Sequence, residues 1–193
     1  MSKENLGTFF HQTNLFSLSM AHELADKFEY KRFAKNQFLL TEGTIADEYL
    51  FLDIGYMRSF ALDSEGNEIT TNFHAPGQMI FEVASFFNRT RSKENIQALT
   101  DCEGWFITYR QVNNLFHALP EFREFGRSML VKGFAELKIR MLSMINETAE
   151  ERYATLLKTN PEIFQQAPLK HIATYLGITD TSLSRIRASL TKK

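Results

Sequence analysis

The pattern of apolar and polar positions changes twice along the chain. Residues 6–34 have apolar positions at helical spacing, whereas residues 36–108 contain short apolar stretches separated by turn signals. In that middle region glycines stand at positions 43, 55, 66 and 77, eleven or twelve residues apart. Short strands at this interval predict an antiparallel sandwich or barrel.

A long helix without an internal proline is predicted over residues 121–146. Small and apolar residues recur along it at steps of three and four: Phe122, Gly126, Met129 or Leu130, Gly133, Leu137, Met141 and Met144. This spacing forms one apolar seam whose glycines permit close helix approach. Periodicity alone leaves open whether the seam packs on the chain's own sheet or on a second copy of the chain.

The C-terminal residues 169–186 have the spacing of a helix-turn-helix, two short helices that cross at a tight turn. Ala173 supplies a small residue at the crossing, and Gly177 supplies the turn. Thr179 offers an N-cap oxygen, and Asp180 complements the positive end of the second helix. The apolar residues that would join the two helices stand at the required offsets: Ile172, Leu176, Ile178, Leu183 and Ile186.

The outer face of the second helix is predicted to enter the major groove of duplex DNA. Its side chains are small, hydrogen-bonding or basic: Asp180, Thr181, Ser184, Arg185 and Ala188. Arg185 is the candidate for a base contact, to O6 and N7 of guanine. Candidate phosphate contacts, which position the protein without reading sequence, flank this face: Lys170, Ser182, Arg187 and Lys192.

The distribution of charge also favours DNA contact by the C-terminal residues, although the chain as a whole has a net charge of −1. Residues 168–193 hold five basic residues against one acidic residue, so the preceding 167 residues are mildly acidic. A basic tip on an acidic body is typical of a DNA-reading module attached to a regulatory domain. A solvated basic tail is the alternative interpretation of the charge alone.

Composition excludes several other classes of protein. The single cysteine, Cys102, rules out an intrachain disulfide framework and a four-cysteine zinc site. The five histidines lack metal-ligand spacing, and no catalytic motif is found, so an enzyme is not expected. No apolar run is long enough to span a membrane and no signal peptide is evident, so a cytoplasmic protein is expected.

The order of these features resembles the Crp/Fnr superfamily of bacterial transcription regulators, which is built on a cyclic-nucleotide-binding domain. The resemblance rests on Glu42-Gly43, Gly55, Ser64-Glu65-Gly66, Pro76-Gly77-Gln78, and residues 81–86, 98–103 and 107–110. It implies an α+β fold with an N-terminal double-stranded β-helix (β-roll), a long dimerisation helix and an all-α helix-turn-helix domain. The implied boundaries are 1–120, 121–146 and 147–193. It also implies a homodimer on a roughly palindromic operator, with RNA polymerase as a further partner.

Two departures from the family pattern change what the resemblance implies. Members that bind cyclic AMP have a Gly-Glu pair and an Arg followed by Ser or Thr in the phosphate-binding cassette. Here Phe81 precedes Glu82, and Ser92-Lys93 occupy the Arg-Ser position, so cyclic AMP is not expected. No particular cofactor is indicated, and a nucleotide-like or other small effector stays open. The candidate contacts of such an effector are Phe81, Glu82, Val83, Ala84, Arg91, Ser92 and Lys93.

The second departure concerns the region after the second helix, where many members have a β-hairpin wing. Only residues 191–193 follow Leu190, so no wing is expected. Weaker nonspecific DNA affinity and a shallower salt dependence should follow. The competing hypothesis is a ligand-binding signalling module whose C-terminal helices bind a protein partner instead of DNA.

Overall fold

The protein, described here from a computed structural model, is defined over residues 3–190 of the 193. Two helices, α1 (Glu4–Gln12) and α2 (Leu18–Asp26), precede the strands. The strands are β1 (Glu29–Phe33), β2 (Phe38–Leu40), β3 (Glu48–Ile54), β4 (Met57–Leu62), β5 (Glu68–His74), β6 (Gln78–Ile80), β7 (Asn95–Ala98) and β8 (Cys102–Thr108), with helix α3 (Val83–Asn88) between β6 and β7. The C-terminal helices are α4 (Tyr109–Ala118), α5 (Pro120–Asn146), α6 (Ala149–Thr159), α7 (Ile163–Gln166), α8 (Leu169–Tyr175) and α9 (Asp180–Leu190).

The strands form two antiparallel four-stranded sheets, in the orders β1-β8-β3-β6 and β2-β7-β4-β5. The predicted α+β fold class with an antiparallel β-roll is therefore confirmed. Gly55 connects β3 to β4 with a φ of +90°, and a side chain there would collide with the backbone of Asp101. Only glycine meets both conditions at this turn.

The main core lies between the roll, the N-terminal helices and the start of α5. Phe10 of α1 contacts Phe16, Phe28 and Phe125 through ring pairs with centroids 5.3 to 5.8 Å apart. These rings are almost completely buried. The abundant phenylalanine thus holds the roll, the N-terminal helices and α5 together.

The two halves of α5 have different surroundings. Phe122, Phe125 and Gly126 are buried, and a side chain at position 126 would come within 2.5 Å of the Phe116 ring. Further along, Phe134 is 70% exposed and Leu137 is 65% exposed. The predicted seam therefore packs on the chain's own core at its beginning and lies open at its end.

Strand β5 lies at the edge of its sheet and contains a β-bulge. Ser59 pairs with Asn72 and Phe60 pairs with Thr70, so Thr71 has no partner on β4. A bulge of this kind redirects the backbone groups of the extra residue away from the ladder. The carbonyl of Thr71 is consequently available to another element.

A second core joins the C-terminal helices to the roll. Its buried members are Phe73, Leu99, Tyr153, Leu156, Ile163, Ala167, Ile172, Ala173, Leu176, Leu183 and Ile186. Phe73 and Leu99 belong to the β-roll side of the chain, so this core is completed across the boundary placed at residue 147. The domain boundaries themselves stay a prediction.

We predict that the protein loses stability as the pH falls from about 6.5 to about 4. His74 at the end of β5 is 8% exposed, and its Nε2 lies 2.8 Å from Ser59 Oγ. Burial lowers the pKa of His74 from 6.5 to about 4, so in this window the unfolded chain binds the proton first. The contribution of His74 to the free energy of unfolding is fully present above about pH 6.5 and falls by up to about 1.4 kcal/mol per pH unit below it.

The measurement is the free energy of unfolding at several pH values for the wild type and for His74→Gln. The variant should show a shallower pH dependence, and the exposed His117→Gln is the control for the loss of an imidazole. An unchanged slope in His74→Gln would contradict the assignment.

Candidate nucleic-acid interface

Helices α8 and α9 are joined by residues 176–179, and the turn closes by a Schellman motif. The N–H of Ile178 donates to Ala173 O at 3.0 Å, and the N–H of Gly177 donates to Thr174 O at 3.1 Å. Gly177 has a φ of +69°, the left-handed conformation that this motif requires. The predicted turn glycine therefore satisfies two carbonyls at the end of α8.

The two helices share a packed inner face. Ala173 is fully buried at the crossing, and Leu183 is 1% exposed. Thr179 caps α9, because its Oγ1 accepts from the N–H of Ser182 at 3.2 Å. Asp180 occupies the first turn of α9, where its charge complements the helix dipole.

The outer face of α9 is exposed to solvent. The exposed side chains are those of Asp180, Thr181, Ser184, Arg185 and Arg187. Ser182 is half-buried, and its hydroxyl lies 3.1 Å from the hydroxyl of Thr179, the residue that caps α9. Positions three and four apart lie on one side of a helix, so Thr181, Ser184 and Arg185 form one surface. Lys170 is exposed on α8, and Lys192 lies outside the described residues.

Helix α8 packs against β5, and a buried arginine holds this contact. Arg58 of β4 is 2% exposed, and its Nη1 lies 2.8 Å from Nδ1 of His171. Because a guanidinium only donates, Nδ1 must accept and the imidazole is neutral. Burial, followed by the charges of Arg58 and Lys170, lowers the pKa of His171 to about 4, which agrees with a neutral ring.

Within the roll, Nη2 of the same guanidinium has two hydrogen-bond partners, whereas the buried Nε has no partner among the described residues. Arg58 Nη2 donates to Glu68 and, at 3.0 Å, to Gln97 Oε1, and its Cζ lies 4.0 Å from the centroid of the Phe60 ring. Sequence analysis did not select Arg58 or His171. The sequence does hold a signal for Arg58, because it is a charged residue inside the apolar stretch of β4, and a buried position of this kind is seldom charged unless the charge is paired.

Further contacts between α8 and the roll are polar and aromatic. The N–H of Thr70 donates to Thr174 Oγ1 at 3.2 Å, and the rings of Phe73 and Tyr175 lie 5.1 Å apart. In α8 these groups face β5, so they are directed away from the exposed surface of α9. The recognition face therefore stays open while α8 is fixed to the roll.

Two of the candidate effector residues line a cavity, and the others lie outside its lining. Phe81 and Glu82 line a cavity of about 240 Å³ beside β2 and the residues before β3. Val83, Ala84, Arg91 and Lys93 are exposed, and Arg91 Nη1 donates to Gly43 O at 3.1 Å. Ser92 is buried, and its hydroxyl is bonded to the backbone of Glu94.

This cavity does not fit the phosphate of a cyclic nucleotide. The Glu82 carboxylate caps α3 by accepting from the N–H groups of Ala84 at 3.0 Å and Ser85 at 2.6 Å. Phe81, which stands where the members that bind cyclic AMP have glycine, packs on Tyr49 with ring centroids 4.2 Å apart. The charged residues that line the cavity are Asp47, Glu48 and Glu82, all carboxylates.

Other kinds of site are not found in the part of the chain that the structure describes. Among residues 3–190 no group of His, Cys, Asp or Glu is arranged to hold a metal ion. Over the same residues, no helix has both the length and the apolar character to cross a bilayer. Cys102 is buried, and its thiol lies 3.3 Å from the carbonyl oxygen of Tyr56.

The fold and the helix pair α8–α9 define a protein with a cyclic-nucleotide-binding-type roll and a C-terminal helix-turn-helix whose second helix has an exposed outer face. Comparison with known proteins agrees: the cyclic nucleotide-binding domain family matches residues 30–118. The chain is similar to the transcriptional activator protein Anr of Pseudomonas protegens, with 23% identity over 164 residues. This match spans 79% of the chain and 66% of Anr, just under two thirds of that relative's length.

Solved structures give the same fold. FixK2 from Bradyrhizobium japonicum superposes with a TM-score of 0.74 at 20% identity, over 86% of this chain and 85% of FixK2. A regulator of the Crp/Fnr family from Eubacterium rectale also gives 0.74, at 16% identity, over 95% of this chain and 88% of the other. The relatives matched by sequence are named as transcriptional activators, and the resemblance inferred from the sequence is confirmed.

We predict that Gly177→Ala and Gly66→Ala destabilise the protein by similar amounts. Both positions have positive φ, +69° and +84°, so each alanine costs about 1–2 kcal/mol of strain. A Cβ at position 177 would lie 2.5 Å from Met144 Cε, but this atom is the end of a flexible side chain and can move aside, and no neighbouring group of the described residues lies within 4 Å of a Cβ at position 66. Denaturant unfolding of the two variants gives the comparison, and a much larger loss in Gly177→Ala would show that Met144 is held in place.

Proposed function

We propose that the chain is a sequence-specific DNA-binding transcriptional regulator that acts as a homodimer. The observation that carries the proposal is the open outer face of α9, which presents Thr181, Ser184 and Arg185 on a helix held by its partner helix. Short hydrogen-bonding side chains and one arginine suit contact with base edges in the major groove. The match to transcriptional activators supports the same function.

The dimer is proposed from the exposed half of α5. Phe134, Leu137, Met141 and Ile145 are 53% to 70% exposed and recur at steps of three and four. An apolar stripe of this spacing is the seam of a two-helix coiled coil. Pairing of two α5 helices would place two α9 helices on one side of the dimer, to contact half-sites about 34 Å apart.

The alternative, a protein partner on the C-terminal helices, is less well supported. The face of α9 is polar and basic, whereas the centre of a protein interface is depleted in charged residues. We assign no catalytic reaction to the chain. Contact with RNA polymerase and the location in the cytoplasm stay predictions.

Regulation, where an effector exists, would be a shift between orientations of the two recognition helices. A ligand can shift that equilibrium only by binding one orientation more tightly than the other. The carboxylate-lined cavity makes cyclic AMP a poor candidate, and another small effector stays open.

We predict that Arg185→Ala weakens binding to the preferred duplex by about 1–3 kcal/mol and relaxes the choice of base at one position of each half-site. The preferred duplex is first obtained by selection from a random pool with the wild type, and affinities are then measured on all single-base variants. Lys170→Ala is the comparison, because loss of a phosphate contact should weaken all duplexes alike. An Arg185→Ala protein that binds every duplex as the wild type does would contradict the assigned contact.

We predict that Leu137→Glu converts the dimer to a monomer, since burying an unpaired carboxylate in the seam is strongly unfavourable. Sedimentation at micromolar concentration measures the mass of the particle. Lys132→Glu is the matched control, because Lys132 is on the same helix and 73% exposed beside Glu136. A dimer that persists in Leu137→Glu would place the interface elsewhere.

A further inference from the structure

One side chain of α5 contacts both the β-roll and the helix-turn-helix. Arg140 lies in the exposed half of α5, yet its guanidinium is directed inward and is half-buried. Its Nη1 donates to the carbonyl of Thr71 in β5, and its Nη2 donates to the carbonyl of Tyr175 in α8 at 3.0 Å. Its Cζ lies 3.8 Å from the centroid of the Tyr175 ring. A single planar group therefore connects α5, β5 and α8.

Each of the two carbonyls is free for this contact for a structural reason. Thr71 is the extra residue of the bulge in β5, so its carbonyl is directed out of the sheet. Tyr175 is the last residue of α8, and the last carbonyls of a helix have no partner within the helix. The fixed fork of a guanidinium can serve both, whereas an ammonium group has no such geometry.

The orientation of α9 follows that of α8. The Schellman turn and the shared apolar face join the two helices, and Thr179 caps α9. Arg152 of α6 adds a second guanidinium at this turn, with its Nη2 2.9 Å from Leu176 O and its Nη1 2.5 Å from Glu147 O. A change in the position of α8 must therefore move the recognition helix as a unit.

Helix α5 is also the element that carries the proposed dimer seam. The distance between the two recognition helices of a dimer then depends on the angle between α5 and α8. The other close approach of α5 to the turn, Met144 beside Gly177, is a flexible apolar contact that tolerates many angles. The two hydrogen bonds of Arg140 are directional, so they tolerate only a narrow range of angles between α5 and α8.

We propose that Arg140 is a positioning residue for DNA recognition, which sets the separation of the two recognition helices by fixing α8 to α5 and β5 at once. The inference rests on the proposed function. It separates two properties of the binding site: α9 determines which bases each half-site contains, and Arg140 determines how far apart the half-sites lie.

The test is selection of duplexes from a random pool by the full chain, with the wild type, Arg140→Met, Arg140→Lys and the control Lys132→Met. Wild type and control should select the same half-sites at the same spacing. Arg140→Met should select the same half-site bases over a wider range of spacings, and its affinity for the wild-type spacing should fall about tenfold. Arg140→Lys keeps the charge and loses the fork, so it should also widen the range of spacings.

A control duplex with a single half-site separates positioning from a general loss of folded protein. Arg140→Met should bind this duplex within about twofold of the wild type, whereas partial unfolding would weaken both duplexes equally. Where Arg140→Met does not fold, Arg140→Lys and Tyr175→Leu, which removes the ring under the guanidinium, are judged by the same criteria.

The outcomes are distinguishable. Variants that select the wild-type spacing with wild-type affinity, or that weaken both duplexes equally, would overturn the role of Arg140 and leave DNA binding intact. A wild type that enriches no duplex would overturn the proposed function itself.

Discussion

The packing of α8 against the edge strand β5 is the contact on which the rest of the arrangement depends. An edge strand presents unpaired N–H and C=O groups, which must be covered or left to water. Here Thr174 accepts from the N–H of Thr70, Arg140 donates to the carbonyl of Thr71, and Phe73 enters the C-terminal core. The C-terminal helices therefore complete the roll as well as carrying the recognition helix.

The buried charge of Arg58 makes the contact between α8 and the roll specific for one docked position. Burying Arg58 costs solvation, and the cost is offset only because Glu68, Gln97, His171 and the Phe60 ring all surround it. A displacement of α8 along β5 would remove His171 and leave a buried donor without its acceptor, which is more costly than losing apolar contact alone. One docked position is consequently favoured over neighbouring ones, and the neutral state of His171 is part of that preference.

The parts of the fold that were predicted from the sequence are those fixed by local chemistry. The turn glycines, the long helix and the crossed pair with Ala173 and Gly177 each follow from residues close together in the chain. The pairing of Arg58 with His171 joins residues 113 positions apart, and the register slip that exposes Thr71 depends on two strands at once. Neither leaves a periodic signal in the sequence.

Glu82 has a structural role that the sequence pattern did not indicate. A glutamate stands at the position that resembles the family motif, and its carboxylate caps α3 by accepting from the amides of its own helix. A motif match identifies a residue type at a position, whereas hydrogen-bond partners decide what that side chain does. The replacement of glycine by Phe81 was the informative part, because a ring on Tyr49 changes the cavity wall itself.

The two halves of α5 have different structural roles. Its first half is buried in the aromatic core of the roll, and its second half carries the open apolar stripe together with Arg140 and Met144. The attachment of the recognition helices and the proposed dimer seam thus share the same few turns of one helix. A shift of the roll against α5 would act on the bulge at Thr71, and through Arg140 it would move α8 relative to the seam. An effector that moves the roll against α5 would therefore act on the recognition helix through that short segment, because Arg140 joins β5, α5 and α8 there.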